Sequence, residues 1–151
     1  MIFRSGSALV GSPATRHVGT LGGNVMNSSP AMDTGAPLIV LGAEVELRST
    51  RGSRRVAITD LWTGPGRHRA ADDELCTVIH LPAPAAHSGS AYVRLEYRRA
   101  MEIAVVGAAA NVTLRPDGTV ECVCVALTAV APTIVSVTGL DHVAGMSVAD
   151  A

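Results

Sequence analysis

A chain of 151 residues with 48% hydrophobic content, 17% charged residues and a formal charge of −1 is apolar enough for one compact domain or two small ones, which argues against disorder. The near-neutral balance, with no cluster of basic side chains interleaved with aromatics, excludes a surface built for nucleic acid. No apolar run reaches the roughly eighteen residues of a membrane span, and the first residues lack the apolar core of a secretory signal, so the cytoplasm is the expected location. All twelve cationic residues are arginine and alanine is abundant, a mark of GC-rich bacterial codons rather than of arginine-specific chemistry.

In chain order, residues 1–19 are expected to hold only the end of a helix that leads into Thr20-Leu21-Gly22-Gly23-Asn24. Two adjacent glycines leave backbone N–H groups unshielded by any side chain, so the main chain can approach a phosphate closely or take up positive φ. By itself the stretch is more often a structural turn than a ligand site. Ser29-Pro30 has the form of an N-cap followed by a first-position proline, predicting a helix through Thr34 to Leu41 that ends at Gly42. Asp33 falls in its first turn, where the helix dipole favours an acid with or without a ligand.

Ala43, Val45 and Leu47 then alternate with Glu44, Glu46 and Arg48, the pattern of a half-buried strand. Thr50-Arg51-Gly52-Ser53 turns it, and Arg54 to Ile58 returns with Val56 and Ile58 toward the core. Trp62 is read as a core residue. Gly64-Pro65-Gly66-Arg67 fixes an irregular loop. From Glu74 to Leu81 the alternation resumes, with Leu75, Thr77, Ile79 and Leu81 on one face and Cys76, Val78 and His80 on the other.

Pro82 to Gly89 is rich in proline and small residues and marks a boundary. Beyond it Ser90 to Leu95 reads as a strand, and Ile103 to Leu114 pairs with Thr119 to Ala129 across Arg115-Pro116-Asp117-Gly118. The fold class is α+β: a mainly antiparallel sheet with a few helices, followed by the start of a second small antiparallel-sheet subdomain. Cys122 and Cys124 share a strand face at a spacing unlike the usual zinc pairs, and with Cys76 they are read as buried thiols, so no metal is assigned. The five histidines stand at no ligating spacing, and Ser28 and Ser29 lack a Gly-x-Ser-x-Gly setting, so no catalytic residue is assigned either.

Taken together and in this order, the segments resemble the flavin subunit or domain of the molybdenum hydroxylases, the family of xanthine dehydrogenase and carbon monoxide dehydrogenase. The resemblance takes in Arg16 to Asp33, Leu38 to Leu47, Arg54 to Arg67, Asp73 to Pro82, Ser90 to Ala104 and Ala129 to Thr133. It implies FAD as cofactor, with Thr20 offering its hydroxyl, Leu21, Gly22 and Gly23 the backbone around the phosphates, Asn24 ordering the turn, and Asp33 accepting from a cofactor N–H or hydroxyl. Cys76 matches a position where relatives carry a flavin-contacting apolar residue. Arg94 stands near a basic position of the family's cofactor site, and a salt bridge to Glu96 or Glu102 is the alternative. Arg98-Arg99 matches a loop near the flavin ring.

The same resemblance implies two units: 1–84, the second part of an FAD-binding domain, and 85–151, a truncated C-terminal subdomain. Relatives carry an earlier Gly-Gly-Thr-type phosphate loop and later helices, so the chain reads as a fragment, inactive alone. The implied function of the whole is electron transfer. Electrons would leave a molybdopterin-containing large subunit through the 2Fe–2S clusters of a small subunit and pass by way of FAD to NAD, quinone or oxygen. Two other classes stay open, a non-catalytic assembly module and a flavin-free β-rich binding domain, and FAD binding separates them from the first.

Overall fold

The computed structural model describes residues 2–98 and 101–150. Its front is helical, with α1 (Ile2–Leu9), α2 (Pro13–Val18), α3 (Leu21–Met26) and α4 (Gly35–Val40) in succession. Residues 1–19 were expected to hold one helix end, and instead they form two helices. Ser12 caps α2 by accepting from the Thr15 N–H at 3.1 Å, and Pro13 takes the first helical position, where a missing N–H costs nothing.

The helix expected after Ser29-Pro30 begins later, at Gly35. Ser28 has φ 54°, the Ser29 hydroxyl accepts from the Ala31 N–H to close a local turn, and the Pro30 carbonyl accepts from the Thr128 hydroxyl and the Ala129 N–H, each at 2.8 Å. Pro37 supplies a second reason. It fits the first turn of a helix that begins at Gly35, whereas a helix running from Pro30 would place it in the interior, where its ring and missing N–H break the ladder. The end is as read: Gly42 takes φ 65°, the left-handed conformation that glycine adopts without penalty.

A three-stranded antiparallel sheet follows, ordered β2-β1-β5 from β1 (Glu44–Ser49), β2 (Gly52–Ala57) and β5 (Leu75–His80). Val45 and Leu47 are fully buried, as the alternation requires. Ile58 is buried too, but it opens the short helix α5 (Ile58–Leu61) instead of extending the strand. Trp62 lies in the core, and its indole N–H donates to the Val25 carbonyl at 2.9 Å. It starts a ribbon of β3 (Trp62–Gly64) and β4 (Arg67–His68).

In β5 the period-two reading fails at one residue. Glu46 pairs with Val78 but Leu47 pairs with Cys76, so Thr77 is a bulge. One extra residue resets the faces, and Cys76 joins Ile79 against the core instead of lying opposite it.

The second sheet is four-stranded and antiparallel, ordered β6-β7-β8-β9, from β6 (Ser88–Leu95), β7 (Val106–Leu114), β8 (Val120–Thr128) and β9 (Val135–Ser136). The β7–β8 hairpin turns at Arg115 to Gly118 as expected, with Gly118 at φ 86° and Asp117 accepting from the Thr119 N–H and hydroxyl. Ile103 to Val105 lies outside the strand that was expected to include it. The architecture is α+β with antiparallel sheets, as read.

α4 lies between the two sheets and unites them. Leu38 and Val40 share one core cluster with Val45 and Leu47 on one side and with Ala109, Ala126 and Ile134 on the other. Each fully buried leucine or valine in it contributes roughly 1.5–3 kcal/mol. The fit is tight at Gly35, where an added Cβ would overlap the Ile134 side chain and approach Met32 Cγ to 2.9 Å.

Candidate functional site

The glycine pair sits within helical backbone. Thr20 has extended dihedrals and caps α3, its hydroxyl oxygen accepting from the Gly23 N–H at 3.0 Å, so Gly22 and Gly23 occupy the first turn of a helix and not a loop. The Leu21 and Gly22 N–H groups find no acceptor among the described residues. A helix start of this kind presents unbonded donors and the positive end of the peptide dipoles to one place.

That place is an open cleft of ≈ 520 Å³, bordered by Thr20, Leu21, Gly23, Asn24 and Thr34 and by a second wall from α1 and α2. The second wall brings Ser7, Thr15 and Arg16. Arg16 is held by donating to the Val10 and Gly11 carbonyls at 2.8 and 3.1 Å, which fixes a positive charge at the rim. Asn24 is oriented by the Thr34 hydroxyl, which donates to its side-chain carbonyl. Sequence reasoning missed this wall. Its signal was available, because Ser12-Pro13 repeats the cap-and-proline pattern recognised at Ser29-Pro30.

The Cα of Gly22 faces β5, while its unbonded N–H belongs to the start of α3. A Cβ there would meet Cys76 Sγ at 3.5 Å, an ordinary contact, which places Gly22 where α3 lies on β5. Burial pushes the Cys76 thiol above its ordinary range, which makes it a packing group and not a reactive thiolate.

Asp33 and Arg94, two residues expected at the cofactor, meet each other. Arg94 donates to Asp33 Oδ2 at 2.8 Å with side-chain exposures of 3% and 8%, and the Tyr92 hydroxyl donates to Asp33 Oδ1 at 2.8 Å. Arg94 also pairs with Glu96, one of the two partners the salt-bridge alternative named, and reaches the Glu102 carbonyl at 3.4 Å. Burial opposes the Arg94 charge, but Asp33 and Glu96 outweigh it and its pKa is raised; burial and the Asp33 carboxylate push the Tyr92 phenol well up. Neither Asp33 nor Arg94 borders the cleft. Asp33 precedes Thr34, so this cluster anchors the residue that holds Asn24. Tyr92 was legible as the same-face neighbour of Arg94 two positions away on a strand, but no charge or motif singled it out.

Arg98 is exposed and pairs with Glu102 at 3.3 Å, while Arg99 lies outside the described residues. Cys122 and Cys124, expected to be buried, are exposed. Among the described residues no three metal-ligating side chains gather, and no helix is long and apolar enough to cross a membrane.

Residues 4–84 match the family model described as the FAD binding domain in molybdopterin dehydrogenase, and residues 91–145 match the CO dehydrogenase flavoprotein C-terminal domain. The chain therefore belongs to the family of flavin-binding subunits of the molybdenum hydroxylases. It is 37% identical to a putative xanthine dehydrogenase FAD-binding subunit of Escherichia coli (strain K12), over 70% of this chain and 36% of that one. To the nicotinate dehydrogenase FAD-subunit of Eubacterium barkeri it is 41% identical, over 65% of this chain and 34% of the relative. A reconstituted CO dehydrogenase from Oligotropha carboxidovorans superposes with a TM-score of 0.82 at 34% identity, covering 88% of this chain and 46% of that one. The chain thus spans between about a third and a half of the length of these relatives.

FAD is the cofactor this family implies, and the residues present fit its phosphates. The Ser7 hydroxyl on the cleft wall is buried with no partner in the protein, a polar atom awaiting an acceptor. Gly23 keeps the approach to the α3 amides bare, since even a Cβ there would press Thr20 Oγ at 3.1 Å. Hydroxyls, amides and one guanidinium are the donor set that a phosphate ester accepts from.

Proposed function

We propose that this chain supplies the phosphate-holding wall of the FAD site in an oxidoreductase subunit of the molybdenum hydroxylase class. One observation carries the reading: α3 opens with unbonded N–H groups at a cleft that also holds an orphaned hydroxyl and a fixed arginine. Bound FAD would supply the electron-accepting chemistry, and the protein's part is to hold and orient it.

Leu21 and Gly22 would donate backbone N–H groups to phosphate oxygens, and Gly23 would keep the approach open. Thr20 uses its oxygen to cap α3, which leaves its proton for the ligand. The side-chain amide N–H₂ of Asn24 stays available while its carbonyl is held by Thr34. Cys76 backs Gly22 and sets the depth of α3 on the sheet. Asp33 and Arg94 would position rather than touch, fixing the Thr34 backbone through their mutual pair.

For the whole protein, we extend the proposal to two units, 1–84 and 85–151, in a cytoplasmic enzyme. Electrons would pass from a molybdopterin-containing large subunit through the 2Fe–2S clusters of a small subunit to FAD and then to NAD, quinone or oxygen. A second reading, an assembly module, is favoured by the exposed apolar side chains of Val93 (68%), Leu95 (60%) and Ile103 (73%) beside the outer strand β6.

Equilibrium dialysis of FAD against the full chain tests the first reading. Uptake is expected in the parent and lost in both Thr20→Val and Gly23→Val, with circular dichroism unchanged. Equal uptake by all three proteins would remove α3 from the site.

A further inference from the structure

The inward face of the second sheet is divided. One half, formed by Tyr92, Arg94, Gly107, Ala109, Ala126 and Thr128, faces α4 and the Asp33 loop. The other half continues the same cross-strand rows into solvent: Ser90 pairs with Asn111 and Asn111 with Cys124, while Ser88 pairs with Thr113 and Thr113 with Cys122. The open half carries no charged residue, and the two thiols stand side by side on it. Both cysteines are exposed, and their Sγ atoms lie 3.9 Å apart.

Two thiols at that separation can be joined directly or through a third atom, and the strand decides between them. Residues i and i+2 of an extended strand have Cα atoms roughly 6.6–6.8 Å apart, at the far limit of what a disulfide spans and beyond its usual 5.5–6 Å. A direct bond would need β8 to buckle, while its ladder with β7, which pairs Cys122, Val123 and Cys124 in turn, holds it extended. A bridging ion needs no such movement. With zinc–sulfur bonds of about 2.3 Å, the edge of a tetrahedral thiolate site is about 3.8 Å, which is the spacing already present. The Asn111 and Thr113 side chains, one strand away on the same face, add oxygen donors beside the sulfurs.

We propose that Cys122 and Cys124 form a surface dithiol site for a soft, thiophilic d10 cation of the zinc and cadmium type, separate from the flavin cleft. Binding of one divalent ion forms two metal–sulfur bonds, releases both thiol protons to solvent and displaces two of the ion's waters. Its remaining positions stay with water or the neighbouring oxygens. Cys76 lies on the other sheet and takes no part.

Cadmium titrated into the reduced full chain reads the site through the ultraviolet thiolate-to-metal charge-transfer band. The band is expected to saturate at one ion per chain, to vanish in C122S and in C124S, and to persist in C76S. Since both side chains are at the surface, serine leaves the circular dichroism unchanged. A measurement on the parent alone stands beside the variants: bound cadmium should protect Cys122 and Cys124 together from iodoacetamide, as read by peptide mass spectrometry. No saturating band, a band that survives either single substitution, protection of one cysteine alone, or saturation at one ion per two chains would each overturn the proposal.

Discussion

The stretch from Thr20 to Asp33 ends in two places that differ in kind. At its front the start of α3 faces a cleft with N–H groups unbonded, and a serine hydroxyl across from it is orphaned. At its back Asp33 is buried with both oxygens occupied by Tyr92 and Arg94. Polar groups without partners are the ones left free to bind, while those with partners hold the frame, and burial makes the second kind costly to disturb. Residues that travel together in sequence divide here between groups left without partners and groups that fix the backbone around them.

The comparison breaks most visibly at its closed end. Asp33→Ala would remove one of the two carboxylates paired with the buried Arg94, leaving Glu96, and would take away the acceptor of the Tyr92 hydroxyl, so a loss of about 3 kcal/mol is expected in urea unfolding. Asp33→Asn keeps the shape and one acceptor and should cost less. If Asp33→Ala unfolded at the parent midpoint, Asp33 would be no anchor. Next in size is Gly35→Ala, which overfills the contact with Ile134 and Met32 and is expected to cost roughly 1–3 kcal/mol, checked by the same transition.

At the open end the effects on stability shrink and those on binding grow. Thr20→Ala removes the cap of α3 and should cost about 1 kcal/mol. Ser7→Ala removes a buried hydroxyl that bonds to nothing in the protein, so the free chain is expected to gain about 1 kcal/mol while FAD uptake falls. Destabilisation with unchanged uptake would place Ser7 in the frame instead.

The smallest effect lies on neither side of the comparison. Arg54 hydrogen-bonds both oxygens of Glu74 and, with the Ala71 N–H, holds its carboxyl down to about 2 from an ordinary 4.5. Because the folded value is the lower one, this contribution is present above pH 4.5 and is lost as pH falls toward about 2. Both measurements, of parent and Glu74→Gln, should show a stability gap at pH 6 that closes over that window. With the Arg54 side chain about half open to solvent the gap is small, and high salt should narrow it.

What the sequence made legible was set by local rules. Alternation located β1, and the hairpin chemistry of Asp117-Gly118 located the β7–β8 turn. What it hid depended on partners distant in the chain. Pro30 was read as a helix start, but its carbonyl is claimed by Thr128 and Ala129, nearly a hundred residues on. The bulge at Thr77 carries no local signal, since only the pairing with β1 reveals it. Asp33 and Arg94 each matched a cofactor position, yet sixty residues of intervening chain bring them to each other. The wall from α1 and α2 was overlooked even though Ser12-Pro13 announced it.

Backbone amide shifts of the isotopically labelled full chain, followed as FAD is added, test the division most directly. The account predicts the largest movements at Leu21, Gly22 and Gly23, with Ser7 and Arg16 responding and Tyr92 and Arg94 nearly still. Large shifts at Asp33, Tyr92 and Arg94 with a silent α3 would contradict it, and would make the buried pair the binding group and the glycines the frame.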